Sequence, residues 1–225
     1  MKSVAAVVYE SDIETVWRVT GPYLGSHHYL VLNHTKQATF IVDSGFGPTS
    51  IVDLARSLGR EVVGLYLTHG HFDHAGGAKF ISEELNCPVL MNVNDERTLN
   101  SSNFLLKIFG YSKRIEIPII ESYNSYHDEF VSILECPGHT PGSVLVKSAN
   151  SVFTGDSVYA DRIDAVKLPQ QDDRQLRLSI KKHIDLLTSD VQIFPGHGST
   201  VNGKDLLNQN KELFSFLESV GAAGE

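Results

Sequence analysis

The chain has 225 residues, enough to bury the core of one large domain or two small ones. With 41% hydrophobic and 20% charged residues, its composition is that of a globular protein and excludes long disorder. A formal net charge of -8 argues against a nucleic-acid binder, which needs a basic surface to displace counterions from phosphate. The longest basic clusters are pairs, Lys113-Arg114 and Lys181-Lys182, and read as solvated faces.

In chain order, residues 4–8, 15–20, 28–32 and 39–42 read as strands, rich in Val, Ile, Tyr and Thr and separated by Gly, Asn and Ser. Pro48-Thr49-Ser50 opens a helix whose Ile51, Leu54, Ala55 and Leu58 share one face. A strand over 62–67 then runs into Thr68-His69-Gly70-His71-Phe72-Asp73-His74. Residues 92–126 are irregular and polar around an apolar stretch at 104–108, which reads as a helix or flap between the halves, and the segment is a candidate lid over the pocket. Strands follow over 130–134, 144–146 and 152–153. Leu176, Ile180, His183, Ile184 and Leu187 then mark a helix, a strand covers 191–194, and Leu206, Leu207, Leu213 and Leu217 mark a closing helix. Runs of strands with helices between and after them predict two sheets packed face to face with helices outside, in one domain over 1–225.

Cys87 and Cys136 are too few for a disulfide framework and are expected to be reduced, buried and small. The N-terminus has a short apolar run broken by Glu10 and Asp12, without a signal-peptide pattern, and no stretch reaches membrane-spanning length. These features predict a cytoplasmic protein with no membrane partner.

The histidines carry the chemistry. Three of the chain's 10 lie within six positions, at His69, His71 and His74, with Asp73 among them, directly after an apolar strand. Neutral imidazole and carboxylate are ligands for zinc and similar ions. In a tight turn, His69 and His71 can share one ion while Asp73 and His74 face a second. Three later segments repeat the order strand, loop, ligand: Cys136-Pro137-Gly138-His139, Phe153-Thr154-Gly155-Asp156 and Phe194-Pro195-Gly196-His197. Glycines beside each ligand allow close backbone approach. His27-His28 precede an early strand where a loop can border the site, whereas His34, His127 and His183 read as surface or packing residues.

These motifs, together with Ile41-Val42-Asp43-Ser44-Gly45, resemble the metallo-β-lactamase superfamily from about Leu30 to Asn210. The resemblance implies an α/β fold, a four-layer αβ/βα sandwich with the site at one sheet edge. It implies that His69, His71 and His139 hold one divalent ion, that Asp73, His74 and His197 hold another, and that Asp156 bridges them. Asp43 is implied as a buried structural carboxylate and an acceptor for a ligand imidazole. Zinc is the default metal for such a set, and iron and manganese suit similar ligands.

Two ions about 3.5–4 Å apart lower the pKa of a shared water toward 7, so no Ser or Cys nucleophile is required. Asp73 would both ligate and orient that water. The motifs are similar to those of glyoxalase II-like thioester hydrolases, with two departures: Ser143 replaces a second histidine, and Asp164-Ala165 replaces a Gly-Arg pair. Only about 28 residues follow His197, fewer than the glutathione-binding extension of full-length glyoxalase II needs. Tyr159, three residues after Asp156, resembles the tyrosine of acyl-homoserine lactonases and is a candidate donor to an oxyanion. The expectation is a dinuclear hydrolase of a small-molecule thioester. The alternatives are a lactone hydrolase and a mononuclear iron persulfide dioxygenase using His69, His139 and Asp156.

Overall fold

Alternation along the strands separates two apolar faces, and this dictates the layers. In a computed structural model describing residues 5–123, 129–163 and 168–219, β1 (Ala6–Glu10), β2 (Glu14–Thr20), β3 (His27–Asn33) and β4 (Ala38–Val42) form an antiparallel run. Helix α1 (Thr49–Ser57) leads to β5 (Val62–Tyr66), which pairs parallel to β4. Helices α2 (Phe72–Ala75) and α3 (Ala78–Leu85), β6 (Val89–Met91), α4 (Glu96–Ile108) and β7 (Ile120–Ser122) complete a seven-stranded sheet in the order β1 to β7.

The second sheet has five strands. It is built from β8 (Ser132–Glu135), β9 (Val144–Ser148), β10 (Ser151–Gly155), β11 (Gln192–Pro195) and β12 (Val201–Asn202), ordered 12-11-10-9-8. Helices α5 (Asp173–Lys182) and α6 (Ile184–Leu187) precede β11, and α7 (Gly203–Gln209) and α8 (Lys211–Glu218) close the chain.

Each sheet buries both faces. Tyr29, Val31, Phe40 and Val42 of the first sheet meet Val144, Val146, Phe153 and Phe194 of the second in the central core. Their strand neighbours Leu30 and Ile41 point the other way, onto Ile51, Ala55 and Ile81 of α1 and α3 and Leu99 of α4. Leu145, Val152 and Ile193 likewise pack outward against Leu176, Leu206 and Leu213. This is the expected αβ/βα sandwich of four layers.

The expected strands are present within one or two residues, and the structure differs from expectation in three places. Residues 92–126 are more regular than expected: a 3-10 turn leads into α4, which contains the 104–108 stretch read as a helix or flap and buries Leu99 and Leu106 in the outer core, and β7 follows. Positions 124–126 of that segment, with His127, lie outside the described residues. The two later helices are each broken in two, at His183 and at Asn210, whose side chain instead accepts from the Leu213 N–H and caps α8. Asp164-Ala165 and the first residues of the strand expected over 4–8 also lie outside the described residues. Among the described residues, no helix is long and apolar enough to cross a membrane.

One buried carboxylate ties the sheets together. Glu14 in β2 accepts from Ser151 Oγ at 2.6 Å and Ser148 Oγ at 3.1 Å, both at the β9–β10 turn. Burial raises its pKa above the ordinary 4.5, outweighing the stabilising hydrogen bonds from Ser151 and Ser148. The folded state therefore keeps this proton to higher pH than the unfolded state, and stability falls as pH rises from 4.5 through the raised value. E14Q removes the charge and keeps an acceptor. Its melting temperature is expected to gain on that of the native chain as pH rises across this window, and the two should converge below it. A constant difference at all pH values would contradict this account.

Candidate metal centre

Four strands deliver the candidate ligands from their C-terminal ends. The chain leaving β5 carries His69 and His71 and starts α2, which holds Asp73 and His74; β8 leads to His139, β10 to Asp156 and β11 to His197. Site formation at carboxyl strand ends is the general rule where parallel strands open onto loops. The backbone sews these ends together. Gly196 N–H donates to Gly155 O at 2.7 Å, and Val144 N–H donates to Thr68 O at 3.0 Å. A side chain on Gly196 would collide with Asp156 and His74, so only glycine lets these loops approach.

All seven residues converge. Candidate ligand atoms of His69, His71 and His139 lie within 4.8 Å of one another, as do those of Asp73, His74 and His197; a third overlapping set is His69, His74 and Asp156. Asp156 faces both groups, with Oδ1 3.3 Å from His74 Nε2 and Oδ2 3.7 Å from His139 Nε2 and 3.6 Å from His197 Nε2. Asp73 Oδ2 lies 3.3 Å from His197 Nε2. Six of the seven are buried, and His197 is 15% exposed at its side chain.

The electrostatics divide the cluster into two subsites. Burial, reinforced by neighbouring imidazoles, holds the His69 pKa well below the usual range, that of His71 down to about 4, and that of His139 below its ordinary value. Burial thus opposes charge on all three rings. For His74 and His197, burial also opposes charge, but carboxylates outweigh it. Asp156, Asp73 and Asp43 raise His74 well above the ordinary range, and Asp156 and Asp73 raise His197 to about 9. Burial likewise opposes charge on Asp156, yet His74 and His197 hold its carboxyl well below the usual range. In this half of the site, the carboxylates favour positive charge, which a bound cation would supply.

The donor set fits two divalent ions on geometric grounds. His71 Nδ1 faces His139 Nε2 at 3.0 Å, and His74 Nε2 faces His197 Nε2 at 3.3 Å. Among the described residues, His69 Nε2 is buried without a hydrogen-bond partner. Buried polar atoms without partners are rare and call for a ligand. The first subsite offers three nitrogens, the second two nitrogens and a carboxylate, and Asp156 lies between.

Supporting residues fix the ligands from behind. Asp43, held at φ 60°, accepts from His74 Nδ1 at 2.9 Å and from Thr68 N–H at 2.7 Å, and Thr68 Oγ1 in turn lies 3.0 Å from His69 Nδ1. This is the supporting role anticipated for Asp43. Asp95 was not anticipated. Its buried carboxylate accepts from Gly70 N–H at 2.7 Å, Thr140 Oγ1 at 2.8 Å and Gly142 N–H at 2.7 Å. It thus clips the His69–His71 turn to the His139 loop. Its local contact is Thr98 Oγ1, at 3.3 Å, whereas the loop partners it joins lie 25 to 47 residues away, beyond any local motif.

The reading of His27-His28 as a pair bordering the site is corrected. Both lie in β3 behind the loops. His27 Nε2 meets Gly198 O at 2.8 Å, and His28 Nε2 accepts from Gly45 N–H at 2.7 Å. Both act as props. His34 pairs with Thr15 and His183 with Glu135 O, as packing residues do. The cysteines are free and buried, and burial pushes both thiols up to about 11, the wrong direction for a nucleophile.

A cavity of about 260 Å³ opens over the cluster, and Tyr159 lines it together with His71, Asp73, His139, Asp156 and His197. Known proteins share this plan. A family model described as the metallo-beta-lactamase superfamily matches residues 22–197. The chain is 28% identical over 200 residues to a probable metallo-hydrolase of Methanocaldococcus jannaschii, covering 81% of this chain and 92% of the relative. It is 27% identical over 205 residues to the hydroxyacylglutathione hydrolase GloC of Haemophilus influenzae, covering 84% and 92%. The crystal structure of TTHA1623 in a di-iron-bound form superposes with a TM-score of 0.77 at 24% identity, covering 86% and 98%, a likeness of fold.

Proposed function

Because the chain belongs to the metallo-beta-lactamase superfamily, we propose that it is a dinuclear metal-dependent hydrolase, with a thioester as substrate and zinc as the ion. The observation that carries this reading is the convergence of seven ligand side chains in two subsites that share Asp156. His69, His71 and His139 would hold one ion and Asp73, His74 and His197 the other, with the Asp156 carboxylate available to both. When bound, two such ions acidify a shared water and polarise a carbonyl.

The protein's own groups do the rest. Asp73 accepts a hydrogen bond from the attacking water and orients it toward the carbonyl carbon. Tyr159, in the same cavity, donates to the carbonyl oxygen as charge develops there. The buried floor excludes bulk water and strengthens both contacts. Water adds to the carbonyl, the C–S bond breaks, and the products are a carboxylic acid and a thiol.

The thioester is supported by the Haemophilus influenzae relative, named a hydroxyacylglutathione hydrolase. The placement of Tyr159 in the cavity supports lactone hydrolysis as the second reading. Metal analysis of the purified protein, followed by a panel of thioester, lactone and phosphodiester substrates, separates them. About two ions per chain and thioester turnover are expected. Turnover of lactones alone would replace the substrate, and an inert protein with both ions bound would overturn the hydrolase reading.

A further inference from the structure

Beyond the candidate ligands, the cavity over the cluster has an apolar part and a guanidinium. Leu24, Phe72, Leu105, Phe109 and Leu168 line it, and Arg162 is its one lysine or arginine among the described residues. The guanidinium lies over the Tyr159 ring at 4.6 Å, and a Cβ on Gly198 would meet its Nη1 at 3.0 Å. Arg162 is therefore beside His197, on the side of the second subsite. Its loop is fixed by the fully buried Asn210, whose Nδ2 donates to Tyr159 O at 2.9 Å and Arg162 O at 2.7 Å.

Among the described residues, the ion-pair partner of the guanidinium is Asp161, 3.1 Å from Nη1, and the two side chains are 42% and 61% exposed. Such a pair is screened by solvent and weak. A guanidinium offers five N–H donors in a planar fork suited to a carboxylate, so one exposed contact at one nitrogen leaves it able to bind another. The aromatic face beneath holds the fork in place at little entropic cost.

We infer that the substrate is an amphiphilic anion: an apolar acyl group packed against these leucines and phenylalanines, joined through the scissile bond to a leaving group whose carboxylate binds Arg162. This rests on the hydrolase reading and assigns the departing sulfur to the side of the second subsite. The small cavity suits a short acyl chain, with the anionic end at the mouth.

Two probes test it: hexanoyl thioesters of 3-mercaptopropionate, which carries a carboxylate, and of N-acetylcysteamine, which is neutral. Zinc-loaded native protein is expected to favour the first by about tenfold or more in kcat/KM, expressed mainly in KM. R162Q is expected to bring the ratio of the two close to one. Because both probes meet the same variant, a general loss of folding or metal cancels in the ratio. A preference that survives in R162Q, or a native protein without preference, would overturn the inference. If the loaded protein cleaves neither probe, the thioester reading falls, and binding still decides the role of Arg162. Calorimetry with the thioether S-hexyl-3-mercaptopropionate, which has no scissile bond, should show about tenfold weaker binding to R162Q, and equal binding to both proteins would overturn the assignment.

Discussion

Replacing Asp156 with alanine is expected to strip the bound metal and to lower hydrolysis on the order of a thousandfold or more, while the chain stays folded. The expectation follows from position. Asp156 is the one carboxylate within reach of both subsites, contacting His74, His139 and His197. Its loss removes a ligand from each ion and the negative charge that offsets their repulsion. The fold should still survive. Asp156 is one of three carboxylates that favour charge on His74, and without it Asp43 and Asp73 still flank the imidazole, so no buried charge is left without a partner. The strands behind it keep their own ladder and core. Metal content by mass spectrometry should drop to a small fraction of native occupancy in D156A, with an unchanged circular dichroism spectrum. His69→Ala, which removes a nitrogen that is buried and unpartnered in the metal-free site, should do the same. Full occupancy in both variants would mean that the ions, if present, sit elsewhere.

The ligands were legible in the sequence because each follows an apolar strand by a few residues, flanked by glycine or proline. A strand end followed by a braced turn fixes where a side chain points, so His69, His71, His139, Asp156 and His197 could be read locally. The layers were legible for a similar reason: alternation in β3 and β4 puts Tyr29 and Phe40 on one face and Leu30 and Ile41 on the other. What escaped depends on contacts distant in sequence. Helix α3 has only Ala78 and Ile81 buried, too few to give a clear 3.6-residue signal, and β6, β7 and β12 are three residues or fewer. The props His28 and Asp95 act through backbone N–H groups 17 to 47 residues away, and nothing in their own neighbourhoods announces it.

Asp95 provides the second large effect. Its carboxylate is fully buried and holds two loops that share no strand pairing, one between His69 and His71 and one just after His139. Gly70 and Gly142 pack directly on it. A Cβ on Gly142 would lie 2.7 Å from Asp95 N, and one on Gly70 would lie 2.9 Å from Asp95 O, so no water layer can replace the contact. Alanine at this position would leave the Gly70 and Gly142 N–H groups unpaired in a dry interior, along with the Thr140 hydroxyl's link to the turn. Removing one partner of a buried charged network costs about 3–5 kcal/mol, much of it from donors left without acceptors. D95A is therefore expected to lower the urea midpoint by that equivalent and to weaken metal binding at the three-histidine subsite by about 10–100-fold, the usual effect of losing the groups that orient ligands. D95N separates the two contributions: it keeps the shape and one acceptor oxygen but presents an amide to a site built of donors. It should recover part of the stability while metal affinity stays low. If D95A instead matched the native chain in both urea midpoint and metal affinity, the two histidine loops would have to be held together by the strands alone, and the view of this carboxylate as their clasp would be wrong.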